Sequence, residues 1–205
     1  MRKTIAVLLI LMMWGAGNAK NFSFAPANNS WWSLDIFHQS RALPPGDRFV
    51  RAPMNPGYQL SHHHSLLGSR SLRGAGTLQA GYTRFDQLFW AVTIGTGIEG
   101  VWNSQSGFYA AFALRLDYER IFTGNNNFEL ENGRYKQKTD TGRSYLQITP
   151  LDLSIGYAPP ILRSAGLIPA LRFAWQLDVP LYGGDDPNPW SYTQLGLSIN
   201  WMIGG

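Results

Sequence analysis

From Phe108 to Phe122 the chain reads FYAAFALRLDYERIF, and its residues fall into two alternating sets. Phe108, Ala110, Phe112, Leu114, Leu116, Tyr118 and Phe122 form an apolar set broken by Arg120; Tyr109, Ala111, Ala113, Arg115, Asp117, Glu119 and Ile121 form a set that carries charge. A strand sends successive side chains to opposite faces, so this segment predicts one long strand with an oily side and a charged side. Helical spacing would scatter Arg115, Asp117 and Glu119 around a cylinder and leave no apolar stripe. The strand exceeds the roughly five or six residues usual in soluble sheets and matches the roughly ten that cross a bilayer at a tilt.

The same alternation recurs along the chain. Leu78, Ala80 and Tyr82 oppose Gln79, Gly81 and Thr83; Trp90, Val92, Ile94, Thr96 and Ile98 oppose Ala91, Thr93, Gly95, Gly97 and Glu99. Leu171, Phe173, Trp175, Leu177 and Val179 oppose Arg172, Ala174, Gln176 and Asp178, and Leu195, Leu197, Ile199 and Trp201 oppose Gln194, Gly196, Ser198 and Asn200. Small residues on the polar side suit a narrow barrel that crowds its interior. Residues 143–157 predict a further strand with a bulge near Pro150. Two weaker segments complete the set: 58–67, and 31–39, where Phe37 interrupts the alternation. Residues 41–57 hold four prolines and two glycines and predict a loop. Residues 123–142 are polar, with Asn132 and Gly133 as a candidate hairpin tip, and Pro159 and Pro160 mark a turn. The expectation is an all-β protein: an antiparallel transmembrane up-and-down β-barrel, with eight strands as the best count and ten as the alternative. Eight strands put both termini on the periplasmic side and the two long loops outside.

The N-terminus changes the picture from a barrel to an exported one. Arg2 and Lys3 precede an apolar run, Ile5 to Trp14, and then small residues including Gly17 and Ala19. This predicts a cleaved signal peptide over 1–19, leaving 20–205 as a single barrel domain. There is no cysteine, hence no disulfide, thiolate metal site or lipoprotein anchor. Removing Arg2 and Lys3 leaves 15 of the 17 basic residues against 13 acidic ones, a net +2 that gives no argument for nucleic acid. Aromatic residues, at 14%, nearly equal the charged residues, at 15%, which suits a surface facing lipid.

Candidate chemistry falls in two places. Glu99, Arg115, Asp117, Glu119, Asp152, Arg172 and Asp178 lie on inward positions, where paired carboxylates can serve acid–base chemistry; the plainer expectation is an ion-pair network filling an interior too narrow for an open channel. The run Ser61-His62-His63-His64-Ser65 is the one dense cluster of nucleophile and base types. On a strand His63 and Ser65 share a face, the minimum for an imidazole to take a hydroxyl proton, while His62 and His64 share the other and form a weak metal candidate. The main expectation for the cluster is structural. Arg134, Lys136 and Lys138 are candidates for meeting lipopolysaccharide phosphates, with a solvated loop as the plainer reading.

The leader, the alternating strands, the aromatic residues beside turns (Trp102, Phe108, Tyr157, Trp190) and the closing strand LGLSINW resemble small bacterial outer membrane β-barrel proteins. That resemblance implies residence in the outer membrane, contact with its lipids and lipopolysaccharide, and insertion by the barrel assembly machinery, with a monomer expected. In that class the last strand commonly ends on an aromatic residue; here Trp201 is followed by Met202, Ile203, Gly204 and Gly205. The spacing His63-x-Ser65 is similar to the His-x-Ser of outer membrane lipid A deacylases, without their flanking residues and early rather than late in the chain. The leading functional expectation is a non-enzymatic barrel contributing to envelope structure, surface contact or limited solute passage, with no cofactor. The alternatives are a lipid A or phospholipid hydrolase using His63 and Ser65, and a secreted soluble β-rich binding module.

Overall fold

The computed structural model describes residues 30–41, 55–69, 71–85, 89–104, 106–123, 127–131, 134–138, 142–181 and 190–202; the leader at 1–19 lies outside them. The strands are β1 (Ser30–Arg41), β2 (Asn55–Gly68), β3 (Leu72–Phe85), β4 (Phe89–Asn103), β5 (Phe108–Thr123), β6 (Asn127–Glu131), β7 (Arg134–Lys138), β8 (Arg143–Tyr157), β9 (Leu167–Pro180) and β10 (Trp190–Met202). Eight of them close a barrel in the order β1-β10-β9-β8-β5-β4-β3-β2, every pair antiparallel. Hairpin β6-β7 stands apart, inserted between β5 and β8. Its ladder runs to Glu131↔Arg134, so it flanks positions 132 and 133, which themselves lie outside the described residues.

Alternation decides which way each strand faces. On β4, Ile94 and Ile98 are 64% and 62% exposed, whereas Ala91, Glu99 and Val101, at odd positions of the same strand, are buried. An outer surface of Leu78, Ile94, Ile155, Leu171 and Leu195 around a polar interior is the reverse of a water-soluble protein, and the hydrophobic effect favours it only where lipid covers it. Aromatic rings gather at both rims. Trp90 stacks on Phe122 at 4.1 Å near one, and Phe108 meets Tyr157 at 5.0 Å near the other. Trp90 and Trp102 both face outward on β4; twelve residues at ~3.3 Å, tilted by ~40°, separate them by about 30 Å along the barrel axis, a hydrocarbon thickness.

Several local features differ from or sharpen the sequence reading. β1 runs to Arg41 and β2 starts at Asn55, so the predicted 41–57 loop is shorter at both ends. Pro56 is tolerated because it lies at the start of a strand, facing outward, where its missing N–H matters least. Phe37 does not break β1: it points inward, and its ring occupies the space a Cβ would need at Gly57 across the ladder. The Pro-Pro turn contains a single helical turn, α1 (Pro160–Ser164), opened by the residue whose fixed φ suits a first helical position. The bulge near Pro150 is present. Ala113 pairs Asp152 while Arg115 pairs Thr149, so β8 carries one extra residue there and its inward parity switches from odd to even positions. Gly107, at φ +98° between β4 and β5, packs so closely under the Ala158 carbonyl that no side chain fits.

Candidate functional site

The interior is built in layers from inward positions of neighbouring strands. At the end where the chain enters β1, Trp31, Ala75, Val101, Tyr109, Ala111 and Ala170 form an apolar plug packed with Ile168. A cavity of about 10 Å³ beside Trp31 and Tyr109 has room for roughly one water.

Directly behind the plug is a hydrogen-bonded relay. His63 Nδ1 lies 2.6 Å from Glu99 Oε2, and Nε2 lies 2.9 Å from Ser33 Oγ. Tyr109 donates its hydroxyl to the other Glu99 oxygen at 3.3 Å, and the Trp31 indole stacks on the imidazole at 4.9 Å, 7° from parallel. Register explains the meeting: His63 pairs with Trp31 on one side and Thr77 on the other, and Thr77 pairs with Gly97. Two short side chains in that row let the imidazole reach Glu99 on β4. The sequence pairs His63 with Ser65; in the structure both ring nitrogens are occupied by Ser33 and Glu99, while Ser65 is buried in the lumen two residues further along β2. A serine, an imidazole and a carboxylate at these distances have the order of a nucleophile, base and orienting acid. All three are buried, Ser33 and His63 to 2% exposure, with Trp31 closed over the ring. His62 and His64 sit on the opposite face of β2, where His62 packs against Trp32 at 4.8 Å.

The next layer holds the guanidinium groups. Arg172 donates Nε and Nη2 to the two Asp152 oxygens at 2.9 and 2.7 Å, and Nη1 to Asp35 Oδ2 at 3.0 Å and Gln59 Oε1 at 3.3 Å. Arg115 Nε lies 2.6 Å from Asp152 Oδ2, and its Nη1 donates to Gln79 Oε1. Gln79 accepts from Gln59 at 2.8 Å and donates to Asp117. The Arg172 guanidinium also lies 5.9 Å over the Phe37 ring. This single network ties β1, β2, β3, β5, β8 and β9 across the lumen. Its geometry depends on the β8 bulge, which turns Asp152 inward between the two arginines. Charged bidentate bonds of this kind are strong, and within a low-dielectric interior they fill the bore instead of lining it.

Towards the other end, Gln147 donates to Asp178 Oδ1 at 3.0 Å and accepts from Gln176 at 3.3 Å, while Gln194 donates to Gln39 at 3.1 Å. Glu119 is fully buried here. All seven charged residues picked out from the sequence thus face the lumen, but in three groups: Glu99 with His63, the arginine pair with Asp152 and Asp117, and Glu119 with Asp178. Sequence reasoning missed Ser33, Asp35, Trp31, Tyr109, Gln59 and Gln79. The signal for Ser33 and Asp35 is the polar face of β1, which the inward Phe37 obscures. Among the described residues no group of three or more His, Asp or Glu side chains is arranged to hold a metal. The side chains of Arg134, Lys136 and Lys138 lie outside the described residues.

No protein-family model and no curated protein matches the sequence. Among solved structures, Neisserial surface protein A is similar with a TM-score of 0.51 at 13% identity, over 90% of this chain and 100% of that one. Ail of Yersinia pestis is similar at 0.43 and 10% identity, over 85% and 99% of the two chains, and the outer membrane enzyme PagL at 0.44 and 11%, over 84% and 99%. The likeness to the Neisserial protein is one of fold.

Proposed function

We propose that this protein is an integral outer membrane β-barrel that works without catalysis: a scaffold with a closed, hydrogen-bonded lumen that holds its outer segments at the cell surface. The observation that carries this reading is the Arg172–Asp152–Arg115 network, which bonds six of the eight barrel strands to one another across the bore. The side chains that make these charge-assisted bonds span the bore and occupy the space that an open, water-filled path would need. Contact with membrane lipids and lipopolysaccharide, insertion by the barrel assembly machinery and a monomeric state belong to the same reading; the apolar outer belt and the single closed sheet support them.

A second reading, a serine hydrolase in which His63 takes the Ser33 proton and Glu99 orients the ring, is favoured by the 2.9 and 2.6 Å distances. Burial counts against it, because an acyl carbonyl must reach Ser33 Oγ and the plug beneath Trp31 leaves space for one water. One pair of measurements on the refolded barrel separates the readings. The scaffold predicts no conductance steps in a planar bilayer and no labelling of the folded protein by a serine-directed fluorophosphonate. Steady conductance would replace the scaffold with a channel, and labelling lost in Ser33→Ala would make the protein an enzyme.

A further inference from the structure

Among the described side chains, all six acidic ones (Asp35, Glu99, Asp117, Glu119, Asp152 and Asp178) are buried in the lumen. Among those same side chains, histidines aside, the outward faces of the strands carry charge at Arg84 on β3 and Arg120 on β5 alone. Arg84 shares its face with Leu78 and Tyr82, and Arg120 with Leu116 and Tyr118, so both stand on the lipid side of the wall. A cation facing lipid is costly at mid-depth and tolerated at the interface, so depth decides what these two can do.

Both reach the rim marked by Trp90. Arg84 pairs with Trp90 in the ladder, and Trp90 pairs with Phe122, on whose ring it stacks at 4.1 Å. Arg120 starts two residues deeper, between Val92 and Ser144. Its side chain climbs back towards the rim: the guanidinium carbon lies 5.4 Å from the centre of the Phe122 ring. Its Cγ and Nε run alongside Gly142, each 3.2 Å from where a Cβ would stand, so the glycine leaves the path that the arginine takes out of the apolar belt. Arg84, Trp90, Phe122 and the Arg120 guanidinium thus form one row across the wall, two cations flanking a stacked aromatic pair. Just below the row, the Tyr118 hydroxyl and Ser144 Oγ are hydrogen-bonded at 2.7 Å on the same outward patch. The two longest connections of the barrel, 42–54 and 124–142, leave from this end, which makes it the outer-facing mouth.

We propose that Arg84 and Arg120 bind the two phosphates of one lipid A, holding a lipopolysaccharide molecule against β3, β4 and β5 at the outer rim. Lipid A, the anchor of lipopolysaccharide in the outer leaflet, is a disaccharide with a phosphate at each end and acyl chains below. A guanidinium meets a phosphate through paired, charge-assisted hydrogen bonds. Two strand spacings, about 10 Å, separate β3 from β5, which suits two phosphates on one molecule better than a single phosphate shared between the arginines. Trp90 and Phe122 lie between them at the level where sugar gives way to acyl chain, the depth that aromatic rings favour. The site rests on the outer membrane reading above, because only the outer leaflet presents these phosphates, and it needs neither conduction nor catalysis.

The test uses the whole mature barrel, refolded in detergent and checked for heat-modifiable migration. It is titrated with bis-phosphorylated lipid A, with the monophosphoryl derivative and with phosphatidylglycerol, and bound lipid is counted by native mass spectrometry. One bis-phosphorylated lipid A per barrel is expected, with the other two lipids held roughly tenfold or more weakly. Arg84→Gln and Arg120→Gln are each expected to lower affinity for the bis-phosphorylated form about tenfold and to narrow its lead over the monophosphoryl one. Arg120→Lys keeps the charge without the planar fork and is expected to recover only part of that loss. Arg73→Gln, at the opposite mouth, is expected to change nothing. Equal affinity of the folded wild-type barrel for all three lipids overturns the site, leaves the membrane barrel in place and needs no variant. Unchanged affinity in either glutamine variant overturns it by moving the lipid elsewhere on the wall. A chain that stays soluble without detergent and shows no heat-modifiable band overturns the outer membrane reading and the site with it.

Discussion

Arg172 shows at single-residue scale what holds this barrel's interior together. Its guanidinium satisfies Asp152 and Asp35 at once and covers the Phe37 ring. Arg172→Met is expected to destabilise the folded barrel by about 3–5 kcal/mol, because it leaves two buried carboxylates short of their partner. Chemical unfolding followed by tryptophan fluorescence measures this. Adding Asp152→Asn and Asp35→Asn in the same chain should recover most of the loss, since the cost lies in the stranded charge more than in the missing bond. An Arg172→Met barrel with an unchanged midpoint would mean that water already reaches these groups. The residues at this scale were only partly legible. Inward placement of Arg115, Asp117, Glu119, Arg172 and Asp178 follows from alternation alone. Which of them meet does not, because His63 joins Glu99 at a separation of 36 residues and Ser33 at 30, and those contacts are fixed by the registers of three strand pairs. Ser65 looked like the partner of His63 because it is two residues away; a stagger across strands brought Ser33 closer.

At the scale of single strands, the strongest alternation gave the most legible elements. β4, β5, β9 and β10 carry clean two-residue periods, and their faces are as the pattern implies. β1 was obscured because an inward Phe37 reads as an outward residue; the glycine beneath it, Gly57, is on another strand and invisible to a local pattern. β8 is the informative case. Its extra residue near Pro150 switches the parity of the strand, so that Thr149 and Asp152 both reach the lumen. Deleting Pro150 takes out the one extra residue and leaves Asp152 two positions after Thr149, so regular alternation is expected to keep both in the lumen and Leu153 outside, with the compact, heat-modifiable band on unboiled gels retained. A deletion variant that loses that band would show that the bend at the bulge, and not the facing of Asp152 alone, is needed to close the barrel. The outer face of β4 offers a graded test. Ile94→Lys, at mid-depth, is expected to cost about 2–4 kcal/mol in lipid, and Trp90→Lys, at the rim, about 0–1. Equal costs at the two depths would indicate that no bilayer surrounds the strand.

The whole molecule turns the logic of a soluble domain inside out. Its apolar side chains face outward in a band about one hydrocarbon thickness tall, and its polar and charged groups form the core. The long-range consequence is rigidity without a hydrophobic centre: closure of β1 on β10 leaves the barrel sheet without a free edge, and the lumen network braces the ring from within. The absence of cysteine from the sequence makes a direct test clean. Single cysteines at Phe173, which faces outward on β9, and at its neighbour Ala174, which is fully buried in the lumen, would be probed in membranes with a charged, water-borne thiol reagent and with a lipid-soluble maleimide. A closed, lipid-embedded barrel predicts that Phe173→Cys reacts with the lipid-soluble reagent alone and that Ala174→Cys reacts with neither. Reaction of Ala174→Cys with the charged reagent would contradict the closed lumen, and reaction of Phe173→Cys with it would contradict the membrane-spanning barrel itself.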